Sequence, residues 1–119
     1  MSYKQFYIQC GIIFVGRTHD NKTYCLSTTK ENIEIPTINI IEDNVEEQLE
    51  ALIGSLVYLD INWINPISIG HIIDEKTIKL VYAAHIPVDT PVSKGHFWIE
   101  PTADDTKLNQ LLFEAIRNG

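Results

Sequence analysis

The residues of this chain able to do chemistry fall into three groups: acids, histidines and cysteines. Glu46 and Glu50 are one helical turn apart with Glu47 between them, a spacing that stacks carboxylates along one helix. Hard cations such as Mg²⁺ or Mn²⁺ are held by such oxygen donors, and Glu100 would have to reach the same ion from another element. The first turns of a helix also attract acids because their free N–H groups carry partial positive charge, and on that reading the three are solvated and bind nothing. His71, His85 and His96 lie in or beside strand patterns and His19 in a turn. A histidine metal site needs about three of them to converge, whereas hydrogen-bonded sheet histidines are the ordinary outcome. Cys10 and Cys25 lack metal-ligand spacing and any local nucleophile signature. Both read as reduced core thiols, with a bridge between neighbouring strands left open. Gly11, Gly16, Gly70 and Gly95 are isolated and form no phosphate-cradling loop. Among the aromatics Tyr58, Trp63, Tyr82, Phe97 and Trp98, the rings of Tyr58, Trp63 and Trp98 are the candidate ligand-binding faces.

These residues must be positioned by a helix and several strands. Ile40 to Trp63 carries Val45, Leu49, Leu52, Ile53, Leu56 and Leu59 at spacings of three and four, the mark of one buried helix face. Asn44 with Glu47 makes a capping box at its start. Mid-helix, Gly54-Ser55 leaves a flat surface, suited either to tight packing within the chain or to the close approach of another backbone. Before the helix, Lys4–Arg17 reads as a strand with Gly11 marking a bulge and Gly16 an end. Thr23–Thr29 returns, and Ile33–Pro36 alternates like a short edge strand stopped by its proline. After it, Pro66–Ile73 and Thr77–Ile86 form a hairpin turned by Asp74-Glu75-Lys76, and His96–Ile99 is a short strand. Thr102 with Asp105 caps a last helix whose buried face is Leu108, Leu111, Leu112, Ala115 and Ile116. The predicted architecture is α+β, a mixed sheet sandwiched by a central and a C-terminal helix, in one domain over residues 1–119.

Composition narrows the classes. A net charge of −7 with nine scattered basic residues argues against general nucleic-acid binding. No stretch of about 18 apolar residues is present, so a membrane span is not expected, and the opening decapeptide lacks a signal-peptide core. A cytoplasmic protein is the expectation. Nineteen isoleucines favour sheet.

The element order and segment lengths resemble the Nudix fold, in which a loop-helix-loop carries the metal site of a diphosphate hydrolase. Cys10-Gly11-Ile12-Ile13 is similar to the family's opening strand. Pro36 stands where the family's proline precedes two glycines, and Phe97-Trp98-Ile99-Glu100 with the final helix is similar to its closing aromatic strand and helix. The signature itself departs. The family pattern has glycines after the proline and Arg-Glu-aliphatic-x-Glu-Glu late in the helix. Here Thr37-Ile38 follows Pro36, and Leu52-Ile53-Gly54-Ser55-Leu56-Val57-Tyr58-Leu59 stands where those glutamates fall.

Two functional expectations follow. The resemblance without its carboxylates implies a catalytically silent Nudix-like module that needs no cofactor. It would act through a protein partner, self-association or a small nucleotide-type ligand. The second expectation is a divergent hydrolase of nucleoside diphosphate-type substrates, with Mg²⁺ or Mn²⁺ at Glu46, Glu47, Glu50 and Glu100.

Overall fold

Continuous burial from Cys10 to Gly16 makes β1 (Tyr7–Arg17) a strand with a core on each face. The computed structural model describes residues 7–31, 33–40, 44–101 and 107–117. Within them follow β2 (Thr23–Ser27), β3 (Thr37–Asn39), α1 (Val45–Leu56), a single 3-10 turn at Ile61–Trp63, β4 (Ile67–Asp74), β5 (Thr77–His85), β6 (Phe97–Ile99) and α2 (Lys107–Arg117). The sheet runs β4-β5-β1-β2-β6, with β3 also on β1. Along one edge β1 pairs in parallel with β5 from Tyr7↔Thr77 to Val15↔His85. Its other edge is shared, with β3 opposite Gln9–Gly11 and β2 opposite Val15–Arg17, both antiparallel.

Side-chain alternation along β1 divides the interior in two. Cys10, Ile12 and Phe14 join Leu49, Leu52, Ile53, Leu56 and Val57 under α1. Ile13 and Val15 join Cys25, Val81, Leu111, Leu112 and Ala115 under α2. The predicted α+β sandwich is the architecture observed. The two cysteines sit in separate cores on opposite faces, and both are free, so the strand-to-strand bridge does not form.

Several local expectations are corrected. Helix α1 starts as predicted, with Asn44 Oδ1 accepting from the Glu47 N–H at 3.2 Å. It stops at Leu56 rather than running on toward Trp63, because Val57 turns extended (φ −129°, ψ 146°) and pairs with Val92. The predicted edge strand at Ile33–Pro36 forms instead at Thr37–Asn39. Ile35 and Pro36 are buried, and the ladder with β1 begins only after the proline, which has no N–H to give.

The glycines also differ from expectation. β1 passes straight through Gly11, where a Cβ would lie 2.8 Å from Ile35 Cδ1, and the bulge falls in β4 between Ser68 and Gly70. Gly70 has a φ of +154°, and a Cβ there would meet Leu111 Cδ2 at 2.9 Å, so the kink lets α2 lie close on the sheet. Gly54 is exposed with nothing within 4 Å of a Cβ, so it makes no tight packing contact within the chain. The cap predicted from Thr102 and Asp105 lies outside the described residues. No described helix is long and apolar enough to cross a membrane.

Candidate functional site

The resemblance implies a metal site at the last turn of α1 and the residues after it. Leu52, Ile53 and Leu56 sit on the inward face of the helix by their spacing, and Val57 follows them into the same core. Their exposures are 7%, 1%, 4% and 3%. Each contributes about 1.5–3 kcal/mol by leaving water.

The backbone here is committed as well. The Leu56 carbonyl, one of the orphan acceptors of a helix end, takes the Ser93 N–H at 2.8 Å, and the Tyr58 N–H donates to the Pro91 carbonyl at 2.9 Å. With the Val57↔Val92 bridge, these bonds strap the loop after β5 across the end of α1. Ser93 Oγ and His96 Nδ1, 2.8 Å apart, brace that loop from within. Sequence reasoning missed this strap, whose partners lie far apart along the chain.

The acids are placed differently. Glu46, Glu47, Glu50 and Glu100 are all exposed. Glu46 lies close enough to Tyr82 on β5 to help raise that phenol's pKa, behind the larger effect of burial and beside Cys10. Glu100 follows β6, and β1 and β2 stand between β5 and β6. Strand spacing near 4.8 Å puts about 14 Å of sheet between those two strands. Among the described residues no three His, Cys, Asp or Glu side chains converge to hold a metal.

The histidines are spread over the fold. His71 is exposed on β4 and His19 on the first hairpin, and His96 braces the strap. His85 Nε2 bonds the Ala115 carbonyl at 3.0 Å. Burial raises the Cys10 thiol's pKa and pushes that of Cys25 up to about 12. Both stay protonated at neutral pH, which removes their nucleophilic form.

Of the three candidate ligand-binding rings, two stand on one connection. Tyr58 and Trp63, 72% and 79% exposed, both project from the connection between α1 and β4. That connection is fixed by two bonds from Asp60: its carbonyl accepts from the Trp63 N–H at 2.9 Å and its Oδ1 from the Asn62 N–H at 3.0 Å. Trp98 belongs elsewhere, half-buried on β6 against the α1-side core, its Cη2 within 3.3 Å of where a Gly16 Cβ would be.

Neither a known protein family nor a curated protein matches the chain. Solved structures do match along nearly its whole length. The NUDIX domain of Shewanella oneidensis NrtR, complexed with ADP ribose, is similar at 14% identity and a TM-score of 0.61, over 98% of this chain and 89% of that one. A mutT/nudix family protein from Listeria innocua is similar at 14% identity and a TM-score of 0.65, over 98% and 97%. The C. elegans Ap4A hydrolase is similar at 14% identity and a TM-score of 0.60, over 95% and 99%. The resemblance expected from element order therefore holds: the chain has the Nudix fold. The stretch over residues 52–59, where the resemblance expects carboxylates, does not fit a divalent cation: Leu52, Ile53, Leu56 and Val57 are buried hydrocarbon, and Ser55 and Tyr58 supply neutral hydroxyls in place of carboxylates.

Proposed function

We propose that this protein is a Nudix-fold module that does not hydrolyse diphosphates. It works by contact, with Tyr58 and Trp63 as the exposed face toward a protein partner or a nucleotide-type ligand; Trp98, half-buried on β6, is not part of that face. The observation that carries the reading is the burial of Leu52, Ile53, Leu56 and Val57. A diphosphate cutter needs cations anchored by several carboxylates, and at that place this chain spends its side chains on the core. Large exposed aromatics on a connection held rigid by its own hydrogen bonds suit recognition, since such rings contribute much contact area at little conformational cost.

The test pairs an activity assay with a binding assay. ADP-ribose, diadenosine tetraphosphate and nucleoside diphosphates, incubated with millimolar Mg²⁺ or Mn²⁺ from neutral to alkaline pH, are expected to give background release. Metal-dependent turnover lost in Glu46→Gln/Glu50→Gln would replace this reading with the divergent hydrolase. Light scattering and calorimetry with the same nucleotides then look for association. Tyr58→Ala and Trp63→Ala are expected to weaken it at least about tenfold with little effect on folding, since both side chains lie mostly in water. A strict monomer that captures no partner and binds no nucleotide would remove the contact reading.

A further inference from the structure

We propose that α2 is a latched cover, held down at its C-terminal end by Arg17 and His85, and that it opens separately from the rest of the fold. The last carbonyls of a helix have no partner within it and must find donors elsewhere. Here the donors come from the sheet. Arg17 Nη2, at the end of β1, donates to the Ile116 carbonyl at 2.7 Å, and His85 Nε2, at the end of β5, bonds the Ala115 carbonyl at 3.0 Å. The two side chains share a face, because His85 pairs with Val15 and Arg17 lies two residues further along the same strand. A guanidinium at a helix C-terminus is also favoured by the helix dipole.

Packing beneath this end is incomplete. Leu111, Leu112 and Ala115 are buried, and the last turn of α2 borders an apolar cleft lined by Asn65, Ile67, Ile69, Ala83, His85 and Ala115. The C-terminal end of the helix is thus tied to the sheet by polar bonds beside an apolar cleft. Cutting those bonds frees it from that end.

What the cover conceals supplies the readout. Cys25 lies in the core under α2, and Cys10 lies in the core under α1 on the opposite face. Opening of α2 alone uncovers the first thiol and not the second. A local opening of this kind has its own free energy and its own denaturant dependence, both smaller than those of global unfolding. The inference is independent of whether the module hydrolyses anything.

The experiment is native-state labelling of the full chain with a disulfide reagent at pH 8, with peptide mass analysis assigning each cysteine. In the unmodified protein Cys25 is expected to label at least about tenfold faster than Cys10, with a shallower dependence on urea. Arg17→Met keeps the stem and removes the donors; it is expected to speed Cys25 about tenfold or more and leave Cys10 unchanged, and Arg17→Lys to restore most of the protection. Equal rates and equal urea dependence for the two thiols in the unmodified protein would overturn the proposal, as would parallel acceleration of both in Arg17→Met. Should that variant not fold, the comparison of the two thiols in the unmodified protein decides alone.

Discussion

Putting one carboxylate back into the late helix tests the reading of that segment most directly. Ile53 is the most enclosed of the four side chains there, at 1% exposure. In Ile53→Glu the lost apolar burial costs about 2–3 kcal/mol. The new carboxyl must then either ionise in hydrocarbon or stay protonated. Keeping it protonated at pH 7 against a free pKa near 4.3 costs about 2.7 units at 1.36 kcal/mol each, or roughly 3.7 kcal/mol. The sum, about 6 kcal/mol, is comparable to the whole stability of a domain this size. Ile53→Met, which keeps volume and apolarity, is expected to cost under about 1.5 kcal/mol. Urea unfolding of both variants, followed by intrinsic fluorescence, measures the difference. The sign with pH is fixed: a carboxyl whose folded pKa is raised leaves the variant most stable below about pH 4.3 and progressively weaker as pH climbs through the folded value. A latent ion site would behave otherwise, since millimolar Mg²⁺ would then recover stability by mass action. A cost below about 2 kcal/mol at pH 7, or rescue of Ile53→Glu by Mg²⁺, would refute the argument that this position is core.

Further expectations concern single positions. The Cys25 thiol, its pKa raised from 9.0 to about 12, keeps its proton in the folded protein while an unfolded chain loses it. Stability from this group is therefore intact below pH 9 and falls by about 1.4 kcal/mol per pH unit from there toward pH 12. Urea titrations at pH 8 and pH 10 should show a larger loss in the unmodified protein than in Cys25→Ala, which retains the contribution of the buried Cys10 thiol. Asn44→Ala removes the acceptor of the Glu47 N–H and should cost about 1 kcal/mol by equilibrium unfolding, while Asn44→Asp should keep the cap. Gly54→Ala, in the open on α1, should stabilise by about 0.5–1 kcal/mol. Gly70→Ala, with a φ of +154° and Leu111 in the way, should destabilise, and opposite shifts in thermal midpoint would display the contrast.

Patterns within one element were legible in the sequence, and pairings between elements were not. The i, i+3, i+4 run of α1 and the Asn44 cap depend on neighbours within a turn, so they could be read locally and are found in place. The order of strands and helices followed from alternation and turn residues, and it was enough to indicate the fold. Where α1 ends was illegible, because Val57 leaves the helix for a partner 35 residues away, Val92. β3 falls just beyond its expected place, at Thr37–Asn39, because its register is set by β1 rather than by its own alternation. Tyr58 and Trp63 could be named as aromatics, but nothing in their spacing distinguished exposed rings from Trp98, which the sheet half-buries. The caps of α2 by Arg17 and His85 join residues 99 and 30 positions apart, and no local signal announces them.

The parallel pairing of β1 with β5 bears on how the chain is made. β1 is apolar on both faces, yet its longest neighbour begins at Thr77, some seventy residues downstream. A ribosome must therefore finish more than half of the chain before that edge can close, and contacts this remote form slowly. Until then one of the most aggregation-prone segments is solvent-facing, with only the short β2 and β3 available on the other side. Biosynthesis of this protein should accordingly depend on whatever shields nascent apolar strands, and slowing translation after β3 should lower its soluble yield more than slowing it after β5.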